Sequence, residues 1–231
     1  MDLVESSTVN PGEHWYFLHK RNVLIKTICR FAQNRSLVID VGAGTGYFAN
    51  EIVSRFPNIE VTCVDTNFQP NHLGKLGNVT YVNNASNIEG FEIVLFMDVI
   101  EHVLDDRALV NDYLSRASSD ALVVFTVPAF NWLWSGHDIA LKHYRRYSRK
   151  QLESVALDLN LTILSAQYLF TPIFPFVLLK RLRKRAKSSH NDLQPQSNFM
   201  NKFMLAVLQI DYSWLGKYLP GSTAILIATI N

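Results

Sequence analysis

The sequence predicts an α/β fold in which a parallel sheet carries helices on both faces. Three observations point there. Short β-rich runs alternate with amphipathic helical stretches along most of the chain. The first such run ends in a cluster of glycines, as at a strand-to-helix turn. Of the 231 residues, 48% are hydrophobic and 12% aromatic, enough for a large core and too apolar for an intrinsically disordered segment.

Taken in order, Glu13 to Gln33 carries apolar side chains at helical spacing (Trp15, Leu18, Val23, Leu24, Ile28, Phe31) interleaved with cations, which predicts an amphipathic helix ahead of the sheet. Ser36-Leu-Val-Ile-Asp-Val-Gly predicts the first strand, and Tyr47 to Phe56 the helix after it. Strands follow at Ile59 to Val64, Val79 to Val82, Glu92 to Met97 and Ala121 to Val127, with a polar segment holding Pro70 and Gly74, and a helix from about Leu104 to Ala117. Beyond Pro128 lie an aromatic loop and a basic-aromatic run. Ser148, with Gln151 three positions on, predicts a capping box that opens a helix to Leu159. Leu161 to Leu169 and Thr223 to Ile230 predict the last two strands. Between them, 171–187 is apolar and then basic, 188–198 is polar, and Phe199 to Leu215 again has helical spacing.

The net charge of +2 excludes a histone-like or strongly acidic protein, yet it averages two unlike parts. Six of the 22 cations (Lys180, Arg181, Arg183, Lys184, Arg185, Lys187) fall within eight residues, and without them 16 cations face 20 acids. Cys29 and Cys63 show neither metal-ligand nor disulfide-framework spacing, and the opening Met-Asp-Leu-Val-Glu lacks the basic and apolar regions of a secretory signal. A reduced, cytoplasmic setting is expected, at most at the inner face of the membrane.

The most informative stretch is Val38-Ile-Asp-Val-Gly-Ala-Gly-Thr-Gly-Tyr-Phe. Asp40 ends the first strand, and Gly42, Ala43, Gly44 and Gly46 form a loop whose missing side chains let a ligand approach the backbone and the helix opening at Tyr47. The spacing is Gly-x-Gly-x-Gly, whereas a dinucleotide site uses Gly-x-Gly-x-x-Gly. An acid just before the loop repels a pyrophosphate and attracts an ammonium, which favours S-adenosyl-L-methionine over NAD. Asp65, followed by Thr66, ends the second strand where a carboxylate can accept both ribose hydroxyls. Asn84 and Ala85 are placed to hold the adenine edge, and Met97, Asp98 and Val99 to lie beneath the cofactor.

Asp-Val-Gly-Ala-Gly-Thr-Gly, Val64-Asp65 and Met-Asp-Val-Ile-Glu-His-Val at the fourth strand resemble the motifs of class I S-adenosylmethionine-dependent methyltransferases. His14-Trp15-Tyr16-Phe17, Pro128-Ala-Phe-Asn-Trp-Leu-Trp-Ser and His143-Tyr-Arg-Arg-Tyr-Ser resemble a bacterial subgroup whose genes often lie among those for cell-envelope or secondary-metabolite biosynthesis. The resemblance implies a Rossmann-like, seven-stranded, mostly parallel sheet with an antiparallel last strand, here with a helical insertion before it. It also implies one domain over 1–231: a cap helix at 1–35, a cofactor-binding core at 36–169, the insertion at 170–221 and the last strand at 222–231.

Methyl transfer from a sulfonium is an in-line displacement, so holding the nucleophile against the methyl carbon does much of the work, and a hydroxyl acceptor also needs a base. His102, His137 and His143 are the candidate catalytic residues. The Asp98-x-x-Glu101-His102 arrangement resembles the Glu-x-x-Glu-His segment of ubiquinone-biosynthesis O-methyltransferases and RNA 2′-O-methyltransferases, where a divalent metal can bind; the resemblance makes Asp98, Glu101 and His102 a metal-capable set, although Asp98 is one methylene shorter and a helix-start cluster beside the cofactor is the reading preferred here. Trp15, Tyr16, Trp134, Arg145, Arg146 and Tyr147 are expected at the acceptor, with Arg145 or Arg146 offering a planar fork to a carboxylate or phosphate. Arg21 is expected to meet the cofactor carboxylate.

The expected activity is methyl transfer to a small-molecule or lipid-linked acceptor, on a hydroxyl oxygen. A catalytically silent cofactor-binding or membrane-associated protein is the alternative from another class, and an NAD-dependent oxidoreductase is disfavoured by the glycine spacing. Apolar residues beside the cation cluster suit an interfacial helix, so peripheral membrane contact through 171–187 is expected, against an acceptor lid, a dimer contact or an RNA patch. DNA is not an expected partner.

Overall fold

The computed structural model describes residues 9–183, 196–211 and 215–231. In chain order these residues form α1 (Trp15–Phe31), β1 (Leu37–Val41), α2 (Tyr47–Arg55), β2 (Glu60–Val64), β3 (Gly74–Leu76), β4 (Val79–Val82) and β5 (Phe91–Met97). There follow α3 (Asp106–Leu114), β6 (Ala117–Pro128), α4 (Gly136–Ala140), α5 (Arg149–Asp158), β7 (Thr162–Leu169), α6 (Phe174–Arg183), α7 (Asn198–Leu208) and β8 (Thr223–Thr229), with short 3₁₀ and helical turns between.

One sheet runs in the order β3-β4-β2-β1-β5-β6-β8-β7. The five strands from β4 to β6 are parallel, whereas β8 runs antiparallel to both β6 and β7. The central strands read as continuous apolar runs because both faces are covered; every residue of β5 from Ile93 to Met97 is buried. On one face α1, α2 and α7 pack Phe17, Leu24, Phe48, Ile52 and Leu208 against the sheet. On the other, α3 and α5 bring Val110, Tyr113, Leu152 and Val155.

The sheet has eight strands, not seven. The addition is β3, a three-residue exposed strand paired antiparallel to β4 inside the segment expected to be an irregular polar connection. The helix expected from Leu104 to Ala117 is shorter at both ends: the Asp105 side chain caps it by accepting from the Ala108 amide, and Ala117 already pairs with Phe91 in the sheet. The capping box at α5 forms as expected, Ser148 and Gln151 satisfying each other's backbone. Lys184, Arg185 and Lys187 lie outside the described residues, and so does the helical spacing expected across 212–214.

The insertion leaves the sheet at Leu169 and returns at Thr223, and these two residues are register partners. Asp211, at the end of the α7 segment, is wholly buried. Its carboxylate accepts from the Phe170 and Thr171 amides and pairs with His19 Nε2 of α1 at 3.0 Å. The Trp15 amide donates to Asn201 of α7, and Tyr16 stacks on Phe170 with ring centroids 4.9 Å apart. Cap helix and insertion are thereby one layer. No helix among the described residues is long and apolar enough to cross a membrane.

Candidate active site

The glycine loop turns at the carboxyl end of β1, where parallel strands leave room for ligands. Gly42, Gly44 and Gly46 all have positive φ, which side-chain-bearing residues rarely adopt. At Gly46 a Cβ would also lie 2.7 Å from the Tyr81 ring. Asp40 is buried at the strand end with one carboxylate oxygen lacking a hydrogen-bond partner among the described residues. Burial pushes its pKa up to about 6, and neighbouring Asp65 adds to the rise. Asp65 accepts from the Gly44 amide at 2.8 Å and from the Asn67 amide at 2.9 Å, tying the two strand-end loops together.

Beside this loop is a cavity of about 300 Å³ lined by Gly42, Asp65, Thr66, Asp98, Val99 and His102, among others. Ala43, Gly44, Gly46 and Tyr47 form the adjoining loop and helix start. Asn84 accepts from the Ser86 amide in a turn, the Ala85 carbonyl accepts from Arg116, and Met97 is in the core. None of those three lines the cavity. Arg21 is occupied elsewhere, 3.4 Å from Glu51 and bonded to Asn22.

Asp98 is the junction residue. It has φ of 58°, its amide donates to the Thr126 carbonyl, and its Oδ1 accepts from the Thr126 hydroxyl at 3.2 Å. Its other oxygen pairs with Lys20 of α1, which is buried and sits 4.8 Å over the Tyr16 ring. Burial works against the ammonium, but the charges and hydrogen bonds of Asp98 and Tyr16 outweigh it and hold the Lys20 pKa above the usual lysine value. Nothing in the sequence signals a lysine from 78 residues upstream, and this pair withdraws Asp98 from the expected metal-capable set.

The third donor is His143 instead. Ligand atoms of Glu101, His102 and His143 all lie within 4.8 Å of one another, a spacing suited to a divalent cation. The His102 and His143 rings meet edge to face at 4.5 Å. Glu101 is fully buried and neither carboxylate oxygen has a partner in another described residue; burial, then the nearby Asp98, raises its pKa well above the ordinary glutamate value. His143 Nδ1 is held at 3.0 Å by Asp138, which also receives a two-pronged Arg146 guanidinium at 2.6 and 2.9 Å and the Ser135 amide. Burial would raise the Asp138 pKa, but those hydrogen bonds and the Arg146 charge hold it well below the carboxylate range. Ser135-x-x-Asp138 is a capping box for α4, a signal visible in the sequence that marks Asp138 as fixed.

A second cavity of about 720 Å³ opens between the sheet ends and the insertion. His137, His143, Trp15 and Tyr16 line it, with Asp98 and His102 shared between both cavities. Arg146 also lines it, but its guanidinium serves Asp138 and the Ala129 carbonyl. Arg145 turns to Asp106 and the Leu104 carbonyl, and Tyr147 is buried with its hydroxyl on Asp106 at 2.6 Å. Trp134 is outside the lining and partly exposed. Of the six expected acceptor residues, the structure thus brings Trp15, Tyr16 and Arg146 to the cavity.

The family model for a methyltransferase domain matches residues 14–166. The chain belongs to the methyltransferase-domain family. Solved structures share its fold. A putative sarcosine dimethylglycine methyltransferase from Galdieria sulphuraria aligns at 15% identity and TM-score 0.59, covering 93% of this chain and 86% of that one. The plantazolicin methyltransferase BamL, solved with a desmethyl analogue and SAH, aligns at 16% and 0.56 over 92% and 86%. A phosphoethanolamine N-methyltransferase from Haemonchus contortus aligns at 19% and 0.54 over 90% of this chain and 52% of that one. No curated protein matches the sequence.

The residues present suit S-adenosylmethionine, the cofactor that the sequence leads one to expect. The unpartnered Asp40 oxygen is a buried acceptor fit for an ammonium. Asp65 and Thr66 line the smaller cavity with groups fit for a ribose diol. The positive-φ glycine loop carries no side chains that would hold a ligand away from its backbone.

Proposed function

We propose that this methyltransferase acts on a hydroxyl oxygen of a small-molecule or lipid-linked acceptor held in the larger cavity. The observation that carries this reading is that Asp98 and His102 line both cavities, with the His143–Asp138 pair on the acceptor side. When bound, S-adenosylmethionine supplies an electrophilic methyl group on a cationic sulfur.

The chain's own residues supply the rest. Asp138 fixes the His143 ring by Nδ1, so that Nε2 is the nitrogen left to take the hydroxyl proton. Glu101 stands beside both histidines, and Lys20 balances the Asp98 charge at the junction. The layer of α1, α6 and α7 walls the larger cavity on the side away from the sheet.

The test pairs calorimetry with turnover. S-adenosylmethionine and S-adenosylhomocysteine should bind and NAD should not, and a panel of hydroxyl acceptors should yield methyl ethers. His143→Gln, which leaves the Arg146–Asp138 pair in place, should lower kcat by about 10²-fold or more while cofactor affinity holds. Cofactor binding without product on any acceptor would favour the catalytically silent reading. A second enzymatic reading rests on the Glu101, His102 and His143 spacing, which suits a divalent cation. Turnover lost to a chelator and restored by a divalent metal would select it. The free cysteines and the basic run support a cytoplasmic enzyme that touches the membrane through 171–187.

A further inference from the structure

The larger cavity is two-sided in its chemistry. The loop after β5 and the segment around α4 bring Asp98, Glu101, His102 and His143 to it, whereas the helices of the insertion bring Phe176 and Val177 from α6 and Phe203 and Met204 from α7. Among the described lining residues, Arg181 is the one charged group those two helices contribute. A volume of about 720 Å³ is in the range that buries most of a drug-sized ligand, far more than a hydroxyl and a few carbons would occupy. A small polar acceptor would leave the α6 and α7 walls in contact with water.

Phe176 and Phe203, which line the cavity, are also 74% and 55% exposed to solvent. Met200 beside them is 39% exposed. The apolar wall is therefore continuous with an apolar rim. Large exposed aromatics in such an arrangement suit a ligand that slides in along its own hydrocarbon.

We infer that the acceptor carries a hydrocarbon chain, which lies along α6 and α7 and presents its hydroxyl at Glu101 and His143. This deepens the O-methylation reading and rests on it for the reaction, while the chain site itself rests on the cavity alone. Discrimination then follows transfer free energy: each methylene taken out of water is worth ~0.8 kcal/mol, or about fourfold in affinity, until the cavity is full.

The experiment is calorimetry of straight-chain primary alcohols, from butyl to dodecyl, below their aggregation limits, on the protein loaded with S-adenosylhomocysteine. Affinity should climb about fourfold per methylene. Val207→Trp and Met204→Trp, at half-buried lining positions, should flatten that climb while S-adenosylhomocysteine binding and melting temperature hold. Absence of alcohol binding, binding indifferent to chain length, or a climb that survives both substitutions would overturn the inference. Repeating the titration with the dodecyl alcohol carried in neutral phosphatidylcholine vesicles separates a chain drawn from a bilayer from one drawn from water, and binding in either arm supports the site. Chain-dependent binding without any methyl transfer would keep the chain site and remove the O-methylation reading. Methylation of a short polar acceptor together with alcohol binding indifferent to chain length would do the reverse.

Discussion

At the scale of single residues, the site depends on four carboxylates kept in different states. Asp138 is held ionised by Arg146 and His143, Asp98 is paired with Lys20, and Glu101 and Asp40 are buried with raised pKa values. Asp40 gives the clearest consequence. Its ordinary value of 3.8 is pushed up to about 6 in the fold, so the folded protein holds that proton more tightly than the unfolded chain. Its contribution to stability is present below the unfolded value and lost as the pH rises through about 6. Cofactor affinity runs the opposite way, because an ammonium needs the ionised form: it should fall about tenfold per pH unit below 6. Calorimetry from pH 5 to 8 checks this, and Asp40→Asn should bind weakly with no such slope; a slope unchanged in the variant would remove Asp40 from the cofactor site. The sequence made Asp40 legible, since strand end, acid and glycines are contiguous. It hid Lys20, because an ion pair across 78 residues has no local pattern.

At the scale of elements, local signals succeeded wherever a helix or strand was long and periodic. α1, α5 and the central strands lie within a few residues of where spacing placed them. They failed for β3, whose three exposed residues hold neither alternation nor a β-branched side chain and are ordered by pairing to β4. They also failed at Arg145 and Tyr147, because a run dense in cations and aromatics reads the same whether it faces a ligand or grips Asp106. The tie between α1 and the insertion was equally silent in the sequence. Asp211 holds two backbone amides and His19, so Asp211→Ala leaves buried donors unmet and should cost about 2–4 kcal/mol. Thermal or urea denaturation checks the loss, and limited proteolysis should cut earliest around α7. An unchanged melting temperature would show that the tie carries no stability.

For the molecule as a whole, a formal charge of +2 conceals six cations concentrated in 180–187 against a mildly acidic remainder. Each cation near an anionic bilayer is worth about 1 kcal/mol, an attraction that salt screens. The protein should therefore float with vesicles containing anionic lipid at low ionic strength and be released by added salt. Failure to float at low salt would dismiss the membrane contact. The overall architecture was the most legible level, because the alternation of strands and helices is a pattern spread over many residues, while the antiparallel return of the chain came from the family resemblance alone. The larger cavity was the least legible, since its walls come from α1, α6 and α7, segments brought together only by tertiary packing.

The insertion departs at Leu169 and rejoins at Thr223, adjacent partners on neighbouring strands, and the stretch shared with the methyltransferase-domain family stops at residue 166. A segment whose two ends already touch can be exchanged without opening the sheet. A protein engineer can therefore attempt to replace the insertion as one cassette, provided that its ties to α1 through Asp211 and Asn201 are rebuilt with it.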